Sequence, residues 1–184
     1  YPTTYYTDRV QYTKQLLFPM KAANVTADDY VEGPLDNWTA TALKFNGKDQ
    51  YASLSQAEMT KEYAYKGGTK KEPKDMTVSG RQIESPDIDT GNFLIEVYFR
   101  TEPRHSGGAL VSKLGDAGYE LTINKAGGVT LIVKAGGRVR QLPCGGIIND
   151  GNWHHVIAEV DRAGKEATIY VDGLKAAGGA MDLP

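Results

Sequence analysis

In the stretch Phe93-Leu94-Ile95-Glu96-Val97-Tyr98-Phe99-Arg100, the apolar residues Phe93, Ile95, Val97 and Phe99 recur at every second position. Glu96, Tyr98 and Arg100 occupy the positions between them. A period of two belongs to a strand with one face on a core and the other toward solvent. Working outward, the same habit predicts strands over 109–114, 119–124, 129–134, 139–142, 153–160 and 167–171. Glycine pairs at Gly107-Gly108, Gly127-Gly128 and Gly136-Gly137, with a turn at Ala163-Gly164, punctuate them. No ten-residue window of this half repeats apolar residues at helical spacing. Short strands with frequent turns predict an all-β, antiparallel sandwich or barrel. Phe93, Ile95, Val97, Phe99, Trp153, Val156, Ala158, Ile169 and Val171 are expected in or bordering one core.

Composition agrees. Glycine is 21 of 184 residues, roughly 11% against a usual ~7%, which suits many turns. The length fits one ordinary domain. Lys+Arg 21 against Asp+Glu 23 leaves a net charge of -2, without the basic excess of a nucleic-acid or anionic-membrane binder. No stretch approaches the ~20 apolar residues of a membrane-spanning helix. Cys144 is the single cysteine, so no intrachain disulfide and no Cys-x-x-Cys motif can form. The chain begins at Tyr1 without an initiator methionine, which reads as a removed leader or an internal fragment.

Upstream the pattern is thinner. Residues 1–40 form a tyrosine-rich N-terminal segment, with one short strand expected at Leu16-Leu17-Phe18 before Pro19. The remainder, 41–184, is read as the sandwich. In it, Leu43 and Phe45 lead into Asn46-Gly47, a strong hairpin signal, with Tyr51-Ala52-Ser53-Leu54 as the returning strand. Residues 56–92 carry charge and glycine but few aliphatics, and are expected to be an oversized loop or insertion with a short helix near 57–65.

Taken together, Asn152-Trp153-His154-His155-Val156-Ile157-Ala158-Glu159-Val160-Asp161 and Ala167-Thr168-Ile169-Tyr170-Val171-Asp172-Gly173 resemble the penultimate hairpin of laminin-G-like domains. Ala42-Leu43-Lys44-Phe45-Asn46-Gly47, the 93–99 strand, Leu110-Val111-Ser112-Lys113 and Gly118-Tyr119-Glu120-Leu121 agree in order. The resemblance implies the concanavalin A-like lectin/glucanase superfamily and a two-sheet jelly roll, a fold that carries binding modules and enzymes alike. It also implies a closing strand after Val171-Asp172-Gly173. Residues 174–184, with Ala176-Ala177-Gly178-Gly179-Ala180, look too poor in strand formers to supply it, so the sandwich is expected to lack its closing strand within this chain.

Glucan-cutting relatives place Glu-x-Asp-x-x-Glu along one strand, where alternation gathers the carboxylates on one face. Here Glu84-Ser85-Pro86-Asp87-Ile88-Asp89 is broken by proline, Glu96 has Tyr98 and Arg100 beside it, and Glu159-Val160-Asp161 has the right parity but lies at a strand end running into a glycine turn. No catalytic residue is assigned and the chain is expected not to be an enzyme. His154 and His155, as strand neighbours, point to opposite faces and cannot chelate one ion together; His154 reads as a structural histidine near the sheet rim. Cys144 reads as a plain free thiol. The residues call for no cofactor. The resemblance leaves Ca2+ open through the turn aspartates Asp49, Asp116, Asp150 and Asp172, without choosing among them. Glu96, Tyr98 and Arg100 form a polar-aromatic row suited to a ligand, since an aromatic ring stacks on a sugar face while charges meet hydroxyls.

The leading expectation is therefore a non-catalytic, secreted or periplasmic recognition module that binds glycan or protein. A structural or accessory subunit is the alternative, with a partner chain at the C-terminal edge and at 56–92. Glycoside hydrolase stands third.

Overall fold

A computed structural model describes residues 20–35, 39–53, 64–69, 72–77, 90–103 and 105–184. By its contacts the chain divides into two units, Tyr1–Asp87 and Ile88–Pro184. In the first, β1 (Lys21–Ala23) leads through a 3-10 turn at Ala27–Asp29 into β2 (Tyr30–Leu35), followed by β3 (Thr39–Leu43), β4 (Tyr51–Ser53), β5 (Ala64–Thr69) and β6 (Glu72–Thr77). These form three antiparallel two-stranded ladders, β1 with β4, β2 with β3, and β5 with β6.

Two expectations are corrected here. Asn46-Gly47 does not close a hairpin between the strands on either side of it, because β3 pairs with β2 and β4 with β1. The Asn46 side chain is the reason. Its Oδ1 accepts the backbone N–H groups of Lys48 at 2.9 Å and Asp49 at 3.2 Å, and its Nδ2 donates to Asp49 Oδ1 at 2.7 Å, building a wider side-chain-locked loop. Gln50 then donates to the Asn24 carbonyl at 2.8 Å, which carries Tyr51–Ser53 alongside Lys21–Ala23. The 56–92 segment, expected to be an oversized loop or insertion beginning with a short helix, contains the β5–β6 hairpin. The last two positions of the helix expected at 57–65 fall in β5. Its earlier positions, the strand at Leu16-Leu17-Phe18 and the Glu84 stretch lie outside the described residues.

The second unit is a sandwich of two four-stranded antiparallel sheets. It comprises β7 (Phe93–Arg100), β8 (Gly108–Leu114), β9 (Gly118–Ile123), β10 (Val129–Ala135), β11 (Arg138–Cys144), β12 (Trp153–Asp161), β13 (Glu166–Val171) and β14 (Leu174–Ala180). One sheet runs β11-β10-β9-β8 and the other β14-β13-β12-β7. The chain crosses between sheets twice, after β7 and after β11, and otherwise meanders. The strands fall within a residue or two of the sequence expectation, because alternation and glycine turns agree about them.

Inward positions of both sheets meet in one core. Leu121, Leu131 and Val133 come from one sheet, and Ile95, Val156, Val160 and Ile169 from the other. Trp153 does not join them: its parity is that of His155, and it lies on the outer face opposite Arg100. Two tight hairpins need positive φ at both central residues, as two-residue turns do: Gly136-Gly137 (φ 53 and 73) and Asp172-Gly173 (φ 50 and 80).

Residues 174–180 do form a strand, contrary to the expectation that this end is too poor to supply one. Propensity yields to context. The Asp172-Gly173 turn returns the chain onto β13, and pairing from Val171↔Leu174 to Glu166↔Ala180 satisfies the backbone. Gly179 helps, since a Cβ there would stand 3.2 Å from Leu142 Cδ1 of the facing sheet. Beyond the strand, Met181 and Leu183 are buried in the core, and the Met181 N–H donates to the Lys165 carbonyl at 2.7 Å. Leu131 is fully buried, Met181 is 1% exposed and Ile147 is 75% exposed. Leu131→Ala and Met181→Ala are each expected to lower the unfolding free energy by about 2–5 kcal/mol, and Ile147→Ala by less than about 0.5 kcal/mol, in urea titrations of the whole chain.

Candidate functional site

The outward residues of β7 and β12 interleave across their ladder, whose register pairs Trp153 with Arg100, His155 with Tyr98, Ile157 with Glu96, and Glu159 with Leu94. This brings Glu96 and Tyr98 onto one histidine. The His155 ring stacks on Tyr98 at 4.1 Å between centroids and 8° between planes. Its Nε2 lies 2.8 Å from Glu96 Oε1. Arg100 stands apart, its guanidinium 5.2 Å above the Trp153 ring. All three residues of the expected row therefore share the outer face, but the Tyr98 ring is already covered on one side.

Beside this stack the face dips into a shallow depression of ≈ 300 Å³ lined by Leu94, His155, Ile157, Glu159, Tyr170 and Gly173. That volume is at the lower end of ligand sites. Tyr170 reaches it from β13, where it pairs with Ile157. Leu94 is 60% exposed, an apolar side chain presented to water on the solvent face of a sheet. Sequence reading missed His155, Ile157, Glu159 and Tyr170 as a group. Their parity was visible, but the pairing of β12 with β7 was not.

Glu96 and Glu159 become diagonal neighbours on this face, with Cα atoms roughly 7–8 Å apart by strand geometry. Two carboxylates so placed are the raw material of glycoside hydrolysis. Glu96 bonds His155, and its side chain is half exposed.

His154 faces the other way and joins two loops. Its Nδ1 lies 2.8 Å from Asp172 Oδ2 and its Nε2 3.1 Å from Asp150 Oδ1. The His155 N–H donates to Asp172 Oδ1 at 2.9 Å, and Asn152 donates to both oxygens of Asp150. Asp150 and Asp172, weighed as Ca2+ ligands, thus serve the histidine and the turns. Asp49 is held by Asn24 and Asn46 in the first unit. Asp116 lies between β8 and β9. Among the described residues, no three His, Cys, Asp or Glu side chains are grouped to hold a metal ion. Cys144 is buried, and burial raises its thiol pKa.

Burial opposes a charge on His154, but the hydrogen bonds and charges of Asp172 and Asp150 outweigh it, and its pKa rises above the ordinary 6.5. Asp150 is held down at about 2, first by the Asn152 backbone N–H, then by the Asn152 side chain and His154. Asp172 is lowered first by the His155 backbone N–H, against some burial. A raised histidine contributes stability that is whole below its unfolded value and fades as pH climbs through the folded one; lowered carboxylates contribute above their unfolded value and fade as pH falls through theirs. Stability from this trio is therefore expected to be greatest between about pH 3.8 and 6.5. Melting temperatures across pH should show the decline above that window flattening in His154→Asn.

Comparison with known proteins bears on the second unit above all. The family model for laminin G domains of the Concanavalin A-like lectin/glucanases superfamily matches residues 75–183. No curated protein matches. Among solved structures, the chain is similar to the Ruminococcus gnavus IT-sialidase CBM40 bound to α2,3 sialyllactose, at 19% identity and a TM-score of 0.39, covering 47% of this chain and 51% of that one. A Bacteroides ovatus protein named as a candidate carbohydrate-binding protein matches at 21% identity and a TM-score of 0.38, covering 48% of this chain and 26% of that one. An S-layer domain-containing protein from Clostridium thermocellum matches at 16% identity and a TM-score of 0.30, covering 89% of this chain and 62% of that one. The chain thus spans about half of the first of these structures and about a quarter of the second. With the family match running across more than half of its length and two antiparallel sheets enclosing one core, the chain belongs to the concanavalin A-like lectin/glucanase superfamily.

Proposed function

We propose that the chain is a non-catalytic recognition module that binds glycan on the outer face of the β14-β13-β12-β7 sheet. The observation carrying this is the depression in which Leu94, Ile157 and Tyr170 stand beside His155 and Glu159. A saccharide ring is itself two-sided, with C–H groups on its faces and hydroxyls at its rim. Apolar and aromatic side chains match the first and a few fixed polar groups the second. Glu96 and Tyr98, chosen from sequence as ligand-binding, act in this reading by holding His155 in place. Arg100, above Trp153, extends the face toward its other end. A secreted or periplasmic location accords with glycan recognition. The accessory-subunit alternative rests on the N-terminal segment, the 56–92 stretch and the C-terminal end, where β14 pairs with β13 and forms the edge of its sheet.

Isothermal titration of the whole chain against an oligosaccharide panel tests the reading. Saturable binding is expected, weakened about tenfold or more by Tyr170→Ala, the loss of one good contact being worth about 1–1.5 kcal/mol. Binding untouched by Tyr170→Ala and Glu159→Ala would place the site elsewhere. No hydrolysis of β-1,3, β-1,4 or mixed-linkage glucans is expected; turnover lost in Glu96→Gln or Glu159→Gln would favour a hydrolase instead.

A further inference from the structure

We infer that the depression selects neutral, hydroxyl-donating saccharides and discriminates against acidic ones. This rests on the glycan reading above and adds the chemical class of the ligand. The inference begins with the Glu96–His155 contact of 2.8 Å. An ionised carboxylate only accepts, so the Nε2 hydrogen of His155 is directed at Glu96 and not at a ligand. Stacking on Tyr98 at 4.1 Å between centroids holds the ring plane. Glu159, also in the lining, has a carboxylate that only accepts. Tyr170 can do either. The Glu159 carboxylate thus calls for a ligand that arrives with donors, which sugar hydroxyls supply.

Charge points the same way. Glu159 lies in the depression and Glu96 is its diagonal neighbour one strand over. None of the six lining residues is a lysine or arginine. Two cations near this face, Arg100 and Lys175, lie outside the lining. Arg100 is above Trp153, toward the opposite end of β7. Lys175 is the register partner of Tyr170, but its side chain runs along β14 past Gly178, with Cε 3.0 Å and Nζ 3.2 Å from where a Cβ on that glycine would be. Gly178 pairs with Thr168, and Thr168 with Glu159, so this ammonium stands two strands from the lining carboxylate, on the β14 side of it. A carboxylate or sulfate carried by a sugar would meet Glu159 as a like charge and would offer acceptors to acceptors. Apposing like charges about 4 Å apart in water weakens binding by a factor of about 5, and more where water is displaced.

The test is titration of the whole chain at pH 7 with a panel of neutral oligosaccharides and their acidic counterparts, among them lactose against α2,3-sialyllactose and galactan against galacturonan oligomers. Neutral members should bind at least fivefold tighter than their acidic counterparts. Glu159→Gln, a change at an exposed position verified by an unaltered melting temperature, should narrow that gap to less than twofold. Added salt should narrow it as well, because the penalty is electrostatic. Acidic members binding as tightly as neutral ones, or tighter, would overturn the inference while leaving the glycan reading standing. A gap that persists undiminished in Glu159→Gln would also overturn it, since the discrimination would then lie outside this carboxylate. Binding by no saccharide of either kind would overturn both.

Discussion

The β7–β12 ladder is the pairing on which the rest of this structure depends. It joins strands more than fifty residues apart, from Trp153↔Arg100 to Val160↔Phe93, and it has consequences on both faces at once. Inward, it sets Ile95 and Phe99 against Val156 and Ala158, the centre of one wall of the core. Outward, it places Glu96 and Tyr98 on His155. A slip of β12 by one residue would turn its faces over, burying His155 and exposing Val156, so burial on one side enforces the register that assembles the other. The candidate site is in this sense a by-product of the core.

A second constraint comes from His154, which stands on the same strand with opposite parity. It ties Asp150, before β12, to Asp172, in the turn after β13. Asp172 also receives the His155 N–H, and Gly173 lines the depression. The neighbouring histidines therefore divide the labour: one holds the turns at the end of the sheet, and the other lines the depression on its surface. Such a division follows from strand geometry, which sends adjacent side chains to opposite faces.

Recognition on an open sheet face also suits the energetics of sugars. A depression of ≈ 300 Å³ with apolar and polar sides offers modest contact area and few fixed hydrogen bonds. Rigidity compensates for the small area, since side chains on paired strands lose little freedom when a ligand arrives. In the proposed glycan reading, Tyr98 serves this end by packing on His155, whereas the row Glu96, Tyr98, Arg100 taken alone suggests a free ring.

What the sequence by itself determined is what depends on local chemistry. Alternation at Phe93, Ile95, Val97 and Phe99, and the glycine turns after it, located the strands of the second unit, and their inward parity identified most of its core. The motif from Asn152 to Gly173 carried the family. Where a turn's outcome depends on distant groups, local reading failed: Asn46-Gly47 resembles a hairpin, yet Gln50 and Asn24 redirect its strand to β1. Likewise, 176–180 reads as weak strand, and only its ladder with β13, the approach of Leu142 to Gly179 and the burial of Met181 make it β14. Of the site, Glu96 and Tyr98 were legible as outward residues, but their meeting with His155, Glu159 and Tyr170 was decided by tertiary structure alone. The reason is that parity is written within a strand, whereas strand order and register are settled by the burial of a whole shared core.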